Sequence, residues 1–196
     1  LDVAPGSLTL VCGASGSGKS TILRLLNGLI PHFHDGELTG RVLVGGEEVC
    51  DTPIERSGLR TATVFQNPAS QFFTTTVADE LAFAPQNYQV PAQEIRRRRL
   101  RAVEELGIED LLGRDLKGLS GGQLQKVACA QALVQDTPVV LLDEPTSNLD
   151  PAPGARRARW TTPARTRPPP PRRSCTRGSA PGPRTPRRTP DRSPAP

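Results

Sequence analysis

Gly13-Ala14-Ser15-Gly16-Ser17-Gly18-Lys19-Ser20 fills the pattern G-x-x-x-x-G-K-[ST] at every position. A triphosphate carries several negative charges that must be held without ordering many long side chains. Backbone N–H groups of residues 14–20, freed by glycines and aimed by a helix N-terminus, meet that need. Lys19 reaches the β- and γ-phosphates in this arrangement, Ser20 ligates Mg²⁺, and Thr21 follows in the first helical turn. A Gly-rich surface turn is the bland reading, and the flanks speak against it. Leu8 to Cys12 is an apolar run suited to a buried strand. Beyond the loop, Ile22, Leu25, Leu26 and Leu29 recur at i, i+3, i+4 and i+7, the stripe of a core-facing helix.

Working outward, Leu119-Ser120-Gly121-Gly122-Gln123 lies some hundred positions downstream and opens a predicted helix over Gly121–Val134, with Leu124, Val127, Ala128 and Leu133 inward. A Ser hydroxyl, two glycines and a helix N-terminus make a second anion site. Val139 to Leu142 is a continuous apolar run, as a buried parallel strand should be, and it ends on Asp143-Glu144. A carboxylate there is costly without a cation or donors, so Asp143 is a candidate for a Mg²⁺ shell. Thr61 to Phe65 predicts another strand, followed by Gln66. Arg41 to Val49 reads as a hairpin turning at Gly45-Gly46. Residues 92–106 predict a helix with Ile95, Val103 and Leu106 on one side. Within it, Arg96-Arg97-Arg98-Arg99 spreads all round the axis and reads as a solvated face rather than a nucleic-acid site.

In this order, the loop, Leu119–Gln123 and Val139–Glu144 resemble the ATP-binding cassette (ABC) ATPases. The resemblance implies an α/β P-loop NTPase: a RecA-like parallel sheet core with an α-helical subdomain at about 68–134. That makes residues 1–150 a partial nucleotide-binding domain, incomplete at both ends. ATP and Mg²⁺ are the implied ligands. By resemblance Glu144 is the general base for the attacking water. Gln66 matches the family's Q-loop, which approaches Mg²⁺ and that water and contacts the membrane partner. Ser120, Gly121, Gly122 and Gln123 are implied to cap the γ-phosphate bound in another cassette, giving a head-to-tail dimer. Pro145-Thr146-Ser147-Asn148-Leu149-Asp150 matches the D-loop at the dimer interface, with Asp150 among the nucleotide-site residues.

Gln66-Asn67-Pro68-Ala69-Ser70-Gln71-Phe72-Phe73, Thr76-Val77-Ala78-Asp79-Glu80-Leu81-Ala82-Phe83 and Leu26-Asn27-Gly28-Leu29-Ile30-Pro31-His32-Phe33 are similar to the ATPases of energy-coupling-factor (ECF) importers, above all the first cassette of their duplicated forms. This implies a peripheral subunit on the cytoplasmic face of the membrane. Its partners would be a transmembrane coupling subunit and a substrate-binding membrane subunit, and the cargo a vitamin or a cobalt or nickel ion. His32 and His34, without a third ligand, read as an exposed turn. Two other classes stay open: a soluble, non-transport ABC ATPase, and a truncated chain that binds nucleotide with little or no turnover.

Composition divides the chain. Residues 151–196 hold 12 Arg against one Asp, a net +11, so the overall +5 leaves −6 on residues 1–150. The same segment holds 13 of the 21 prolines and no Leu, Ile, Val or Phe. It cannot bury enough apolar surface to offset chain entropy and is expected to be disordered. Its Arg/Pro/Ala/Thr composition reads as out-of-frame translation of GC-rich DNA, a genuine basic linker being the alternative. With the positive charge confined there, no nucleic-acid partner is expected. The family's adenine-stacking aromatic and switch histidine find no match, and the lack of any Met reads as an incomplete N-terminus. The four cysteines lack metal-like spacing and read as reduced thiols. No apolar run approaches the ~20 residues of a membrane span.

Overall fold

The reciprocal capping box at Ser120 starts the helix that packs against two other helices and a strand. Ser120 Oγ accepts from the Gln123 amide while Gln123 Oε1 accepts from the Ser120 amide, so two donors that a helix start leaves orphaned are satisfied together. The computed structural model describes residues 1–34 and 38–146. In chain order it contains α1 (Lys19–Leu26), β1 (Leu43–Val44), β2 (Glu47–Glu48), β3 (Thr61–Val64), α2 (Val77–Asn87), α3 (Ala92–Leu106), α4 (Gly121–Gln135) and β4 (Val139–Leu142), joined by turns and short helical segments.

Helix α4 has two working faces. Val127, Ala130 and Val134 join Val77 and Leu81 of α2 and Ala102 and Val103 of α3 in one buried cluster, closed by Ile108, Leu111, Leu116 and Leu119. A quarter-turn away, Ala128 and Ala132 meet Ala62 and Val64 of β3 in a second, smaller cluster. Alanines on that side let the helix axis approach the strand closely. Each buried Leu or Val contributes about 1.5–3 kcal/mol relative to exposure, so the helical cluster carries most of the packing energy. The predicted helices at 92–106 and from Gly121, and the strands at 61–65 and 139–142, form within a residue of their expected ends.

β4 pairs parallel with β3, Thr61 facing Val139 and Val64 facing Leu142. The hairpin β1–β2 turns at Gly45 (φ 59°) and Gly46 (φ 83°), the two left-handed residues that a tight hairpin demands.

Several expectations need correction. Leu8–Cys12 is not a strand: it has no regular structure, and Leu8 and Leu10 are 87% and 83% exposed. An apolar run becomes a strand only where a neighbour takes up its N–H and C=O groups, and among the described residues none does. Helix α1 ends at Leu26, and Gly28 at φ 81° separates it from Leu29; its apolar residues are half-buried rather than core. The arginine run is not uniformly solvated. Arg98 Nη1 donates to the Gln135 carbonyl at 3.3 Å and Arg99 Nη1 to the Ala78 carbonyl at 3.4 Å, tying α3 to α4 and α2. Cys12 and Cys129 are free thiols, and Cys175 lies outside the described residues. The predicted tail, residues 151–196, lies outside the described residues.

Glu94 shows how the outer arginines act. Arg97 and then Arg98, both at 2.7 Å from its carboxylate, hold its pKa at about 2 against an ordinary 4.5. A depressed carboxylate stabilises the fold above the unfolded value, and that contribution is lost as pH falls through the folded one. The window is therefore about 4.5 down to about 2. Replacing both Arg97 and Arg98 with Ala should return the Glu94 titration, followed by its carboxyl carbon NMR shift, towards 4.5.

Candidate functional site

The loop before α1 adopts a backbone that only glycine enters without cost, with Gly16 at φ 78° and Gly18 at φ 88°. At Gly13 a Cβ would sit 2.6 Å from Ser17 Oγ, so a side chain there would have to turn that hydroxyl aside. Lys19 folds back over this ring, its Nζ donating to the Gly13 and Ala14 carbonyls at 3.0 and 2.9 Å. That holds the ammonium above the amides of residues 14–20, where an anion would meet both.

The parallel pair delivers the acidic residues. The Asp143 amide donates to the Val64 carbonyl at 2.9 Å, extending the ladder one step beyond β4. Asp143 and Glu144 therefore emerge beside Phe65 and Gln66, at the end of the pair facing α1. Ser20 Oγ donates to Asp143 Oδ1 at 3.2 Å across 123 residues of sequence. Gln66 Nε2 donates to Glu144 Oε2 at 2.9 Å across 78 residues. Glu144 is exposed and its backbone lies in the left-handed region, φ 49°, a conformation that costs a non-glycine residue about 1–2 kcal/mol. Strain of this kind persists where surrounding contacts over-determine it. Here the ladder bond at Asp143 and the Gln66 contact do so.

Lys19, Ser20, Gln66, Asp143 and Glu144, predicted from separate motifs, thus come together, and Thr21 stands exposed in the first turn of α1. Ser120–Gln123 do not join them. Among the described residues their side-chain bonds stay within the capping box, and the helix start lines a separate open depression with Gly107, Ile108 and Lys126. The Ser120 hydroxyl only accepts within the box, so its proton stays available, as do the first-turn amides of Gly121 and Gly122. Asp150 and Ser147–Leu149 lie outside the described residues. His32, expected in an exposed turn, is half-buried with Nε2 2.9 Å from the Thr52 carbonyl, which only a protonated ring nitrogen can satisfy.

Sequence reasoning missed how Gln66 is held. Gln71, in the helical turn Pro68–Gln71, accepts from the Phe65 amide through Oε1 at 3.0 Å. A glutamine in a short turn carries no distinguishing sequence signal.

The profile of the ABC transporter family matches residues 1–147. An ABC transporter ATP-binding protein of Treponema denticola is 45% identical over 150 residues, covering 76% of this chain and 30% of that protein. One of Streptomyces coelicolor is 45% identical over 152 residues, covering 77% of this chain and 27% of its own length. The chain therefore spans less than a third of these relatives. Among solved structures, CbiO1 of Clostridium perfringens, part of the ABC transporter complex CbiONQ, superposes with TM-score 0.66 and 34% identity, covering 77% of this chain and 59% of that one. A dimeric ATP-binding cassette bound to ADP and Pi in a post-hydrolysis state gives 0.65 and 27%, covering 77% and 66%.

Proposed function

Because the chain belongs to the ABC transporter family of ATP-binding proteins, we propose that it binds and hydrolyses ATP to power import through a membrane complex. The observation that carries this reading is the convergence of Ser20 on Asp143 and of Gln66 on Glu144 at one end of β3–β4, beside the loop that holds Lys19. Phosphoryl transfer asks a protein for positioning and preorganised charge rather than covalent chemistry. Lys19 and the amides of residues 14–20 hold and neutralise the phosphates. Glu144 accepts a proton from the attacking water, and the Gln66 amide fixes the direction of that carboxylate.

The donor set also fits Mg²⁺. A hydroxyl and a carboxylate oxygen 3.2 Å apart are hard ligands of the kind Mg²⁺ takes alongside phosphate and water. Ser20 and Asp143 would hold it, with Gln66 nearby, and it would neutralise charge on the phosphate oxygens.

Ser120, Gly122 and Gln123 line a depression that includes no residue of the loop, and as a second anion site they would give one chain two half-sites. A second cassette packed head to tail would complete both, and the solved dimeric relative supports that partner. Likeness to CbiO1, together with the stretches 66–73 and 76–83, favours an ECF-type importer of a vitamin or transition-metal ion, with a transmembrane coupling subunit and a substrate-binding membrane subunit. As the ATPase subunit of such an importer it would sit peripherally on the cytoplasmic face of the membrane; no helix among the described residues is long and apolar enough to cross one.

Nucleotide binding is tested by thermal melting of the full chain. A ligand at about 100 times its Kd stabilises by about 2.7 kcal/mol if it binds only the native state. Mg-ATP should raise the melting temperature, and Lys19→Ala should abolish the rise. An equal rise in the variant would remove the loop from the site.

A further inference from the structure

Among the described residues the buried carboxylate is Glu80, with no exposed surface. It stands in the first turn of α2. Its Oε2 accepts from the Phe73 and Thr74 amides at 2.9 and 2.8 Å and lies 2.9 Å from the Thr74 hydroxyl. Its Oε1 accepts from Gln131 Nε2 of α4 at 2.8 Å. Gln131 Oε1 in turn accepts from Gln71 Nε2 at 2.8 Å, and Gln71 Oε1 accepts from the Phe65 amide at 3.0 Å. Phe65 immediately precedes Gln66, whose side chain meets Glu144. The chain of bonds thus runs unbroken from a surface turn, where Phe73 is 75% exposed and stacks on Phe83 at 5.2 Å, to the residue that holds Glu144.

Its direction is fixed at both ends by backbone N–H groups, which can only donate. Each amide between them therefore has one orientation that satisfies both neighbours. Polar chains that end on a buried carboxylate, as this one does on Glu80, specify a unique arrangement when complete and are costly when one member is mismatched. Neither the ATP site nor the packing of the helical cluster requires two glutamines here.

We propose that Glu80, Gln131 and Gln71 form a positioning relay that locks the Phe65–Gln66 backbone to the Phe73–Thr74 turn, so that displacement of that surface turn is transmitted to the Gln66 amide on Glu144. The relay rests on the reading of Gln66 and Glu144 as the hydrolytic pair. It acts through backbone position, and none of its three side chains touches nucleotide.

Donor–acceptor matching supplies the test. Glu80→Gln leaves a donor facing a donor in every arrangement: turning the amide at 131 moves the mismatch to 71, and turning that one moves it to the Phe65 amide, which cannot turn. Gln131→Glu sets two carboxylates 2.8 Å apart. The double exchange Glu80→Gln/Gln131→Glu satisfies every partner again, since the new carboxylate accepts from both sides. Gln71→Leu cuts the relay near the surface of the protein and leaves the Glu80 contacts intact.

Amide hydrogen exchange and side-chain amide NMR on the full chain read the outcome without relying on turnover. Glu80→Gln and Gln71→Leu should each lower protection of the Phe65 amide by about tenfold, one lost hydrogen bond, and shift the Gln66 side-chain amide resonance. The double exchange should restore both, and Gln71→Leu should leave the Phe73 and Thr74 amides protected. In phosphate release, Gln71→Leu should add no loss in a Gln66→Ala background, whereas a purely structural defect would add its full effect. Unchanged Phe65 protection in Gln71→Leu, or a double exchange no better than Glu80→Gln alone, overturns the relay. Turnover indifferent to Glu144→Gln and Gln66→Ala would instead overturn the hydrolytic reading, with the exchange results still deciding the relay.

Discussion

Glu144→Gln should slow phosphate release by about 10²–10⁴-fold, the range that a positioned general base contributes, while Mg-ATP still raises the melting temperature as in the parent chain. The substitution keeps the size of the side chain. Its Oε1 can still accept from Gln66 Nε2, so the contact now measured at 2.9 Å survives. What disappears is the ability to take a proton from water. Binding rests on Lys19 and the loop amides, which the change does not touch, so kcat falls and nucleotide affinity does not. Lys19→Ala has the opposite profile, losing affinity first. Turnover within about threefold of the parent would assign the proton to another acceptor.

Leu81→Ala should cost about 2–5 kcal/mol, the range for deleting a fully buried leucine side chain. Leu81 has no exposed surface and sits between α2, α3 and α4 with Val77, Val103 and Val127. Ile108, Leu111, Leu116 and Leu119 of the α3–α4 connection close the same cluster, and how far they can collapse into the space sets where in that range the loss falls. Against a total stability of about 5–15 kcal/mol, that loss should move the urea midpoint by a molar unit or more for a domain of this size. A loss below about 1 kcal/mol would show that the helical cluster is loosely packed. The effect on the loop should be secondary, since α1 belongs to neither buried cluster.

The contrast between α4 and Leu8–Cys12 shows what a sequence can convey. A helix satisfies its own backbone, so the Ser120 cap and the apolar positions of residues 121–135 are enough to announce it. A strand depends on a neighbour that its own residues do not name, and Leu8–Cys12 has none among the described residues. The candidate residues within motifs could be picked out for a similar reason: the phosphate chemistry proposed for them restricts which side chains suit positions 13–20, 66 and 143–144. The Glu80–Gln131–Gln71 chain was illegible because each member is an ordinary polar residue. Its meaning lies in contacts spanning 6 to 60 positions. The arginine run misled in the same way: composition gives charge, but Arg98 and Arg99 earn their places through carbonyls on other helices.

The parallel register of β3 and β4 also sets a timetable. Thr61 and Val139 are partners 78 positions apart, and closing a loop of that length costs on the order of 4 kcal/mol in chain entropy. Four paired residues cannot meet that cost alone, so the pairing must wait until the helices between have drawn its ends together. During synthesis Val139 leaves the ribosome after every helix described here. Ser20 meets Asp143, and Gln66 meets Glu144, only once that last strand docks. A nascent chain therefore exposes all of its described helices before Ser20 can meet Asp143 or Gln66 can meet Glu144, and the candidate site is the last of the described parts to be assembled.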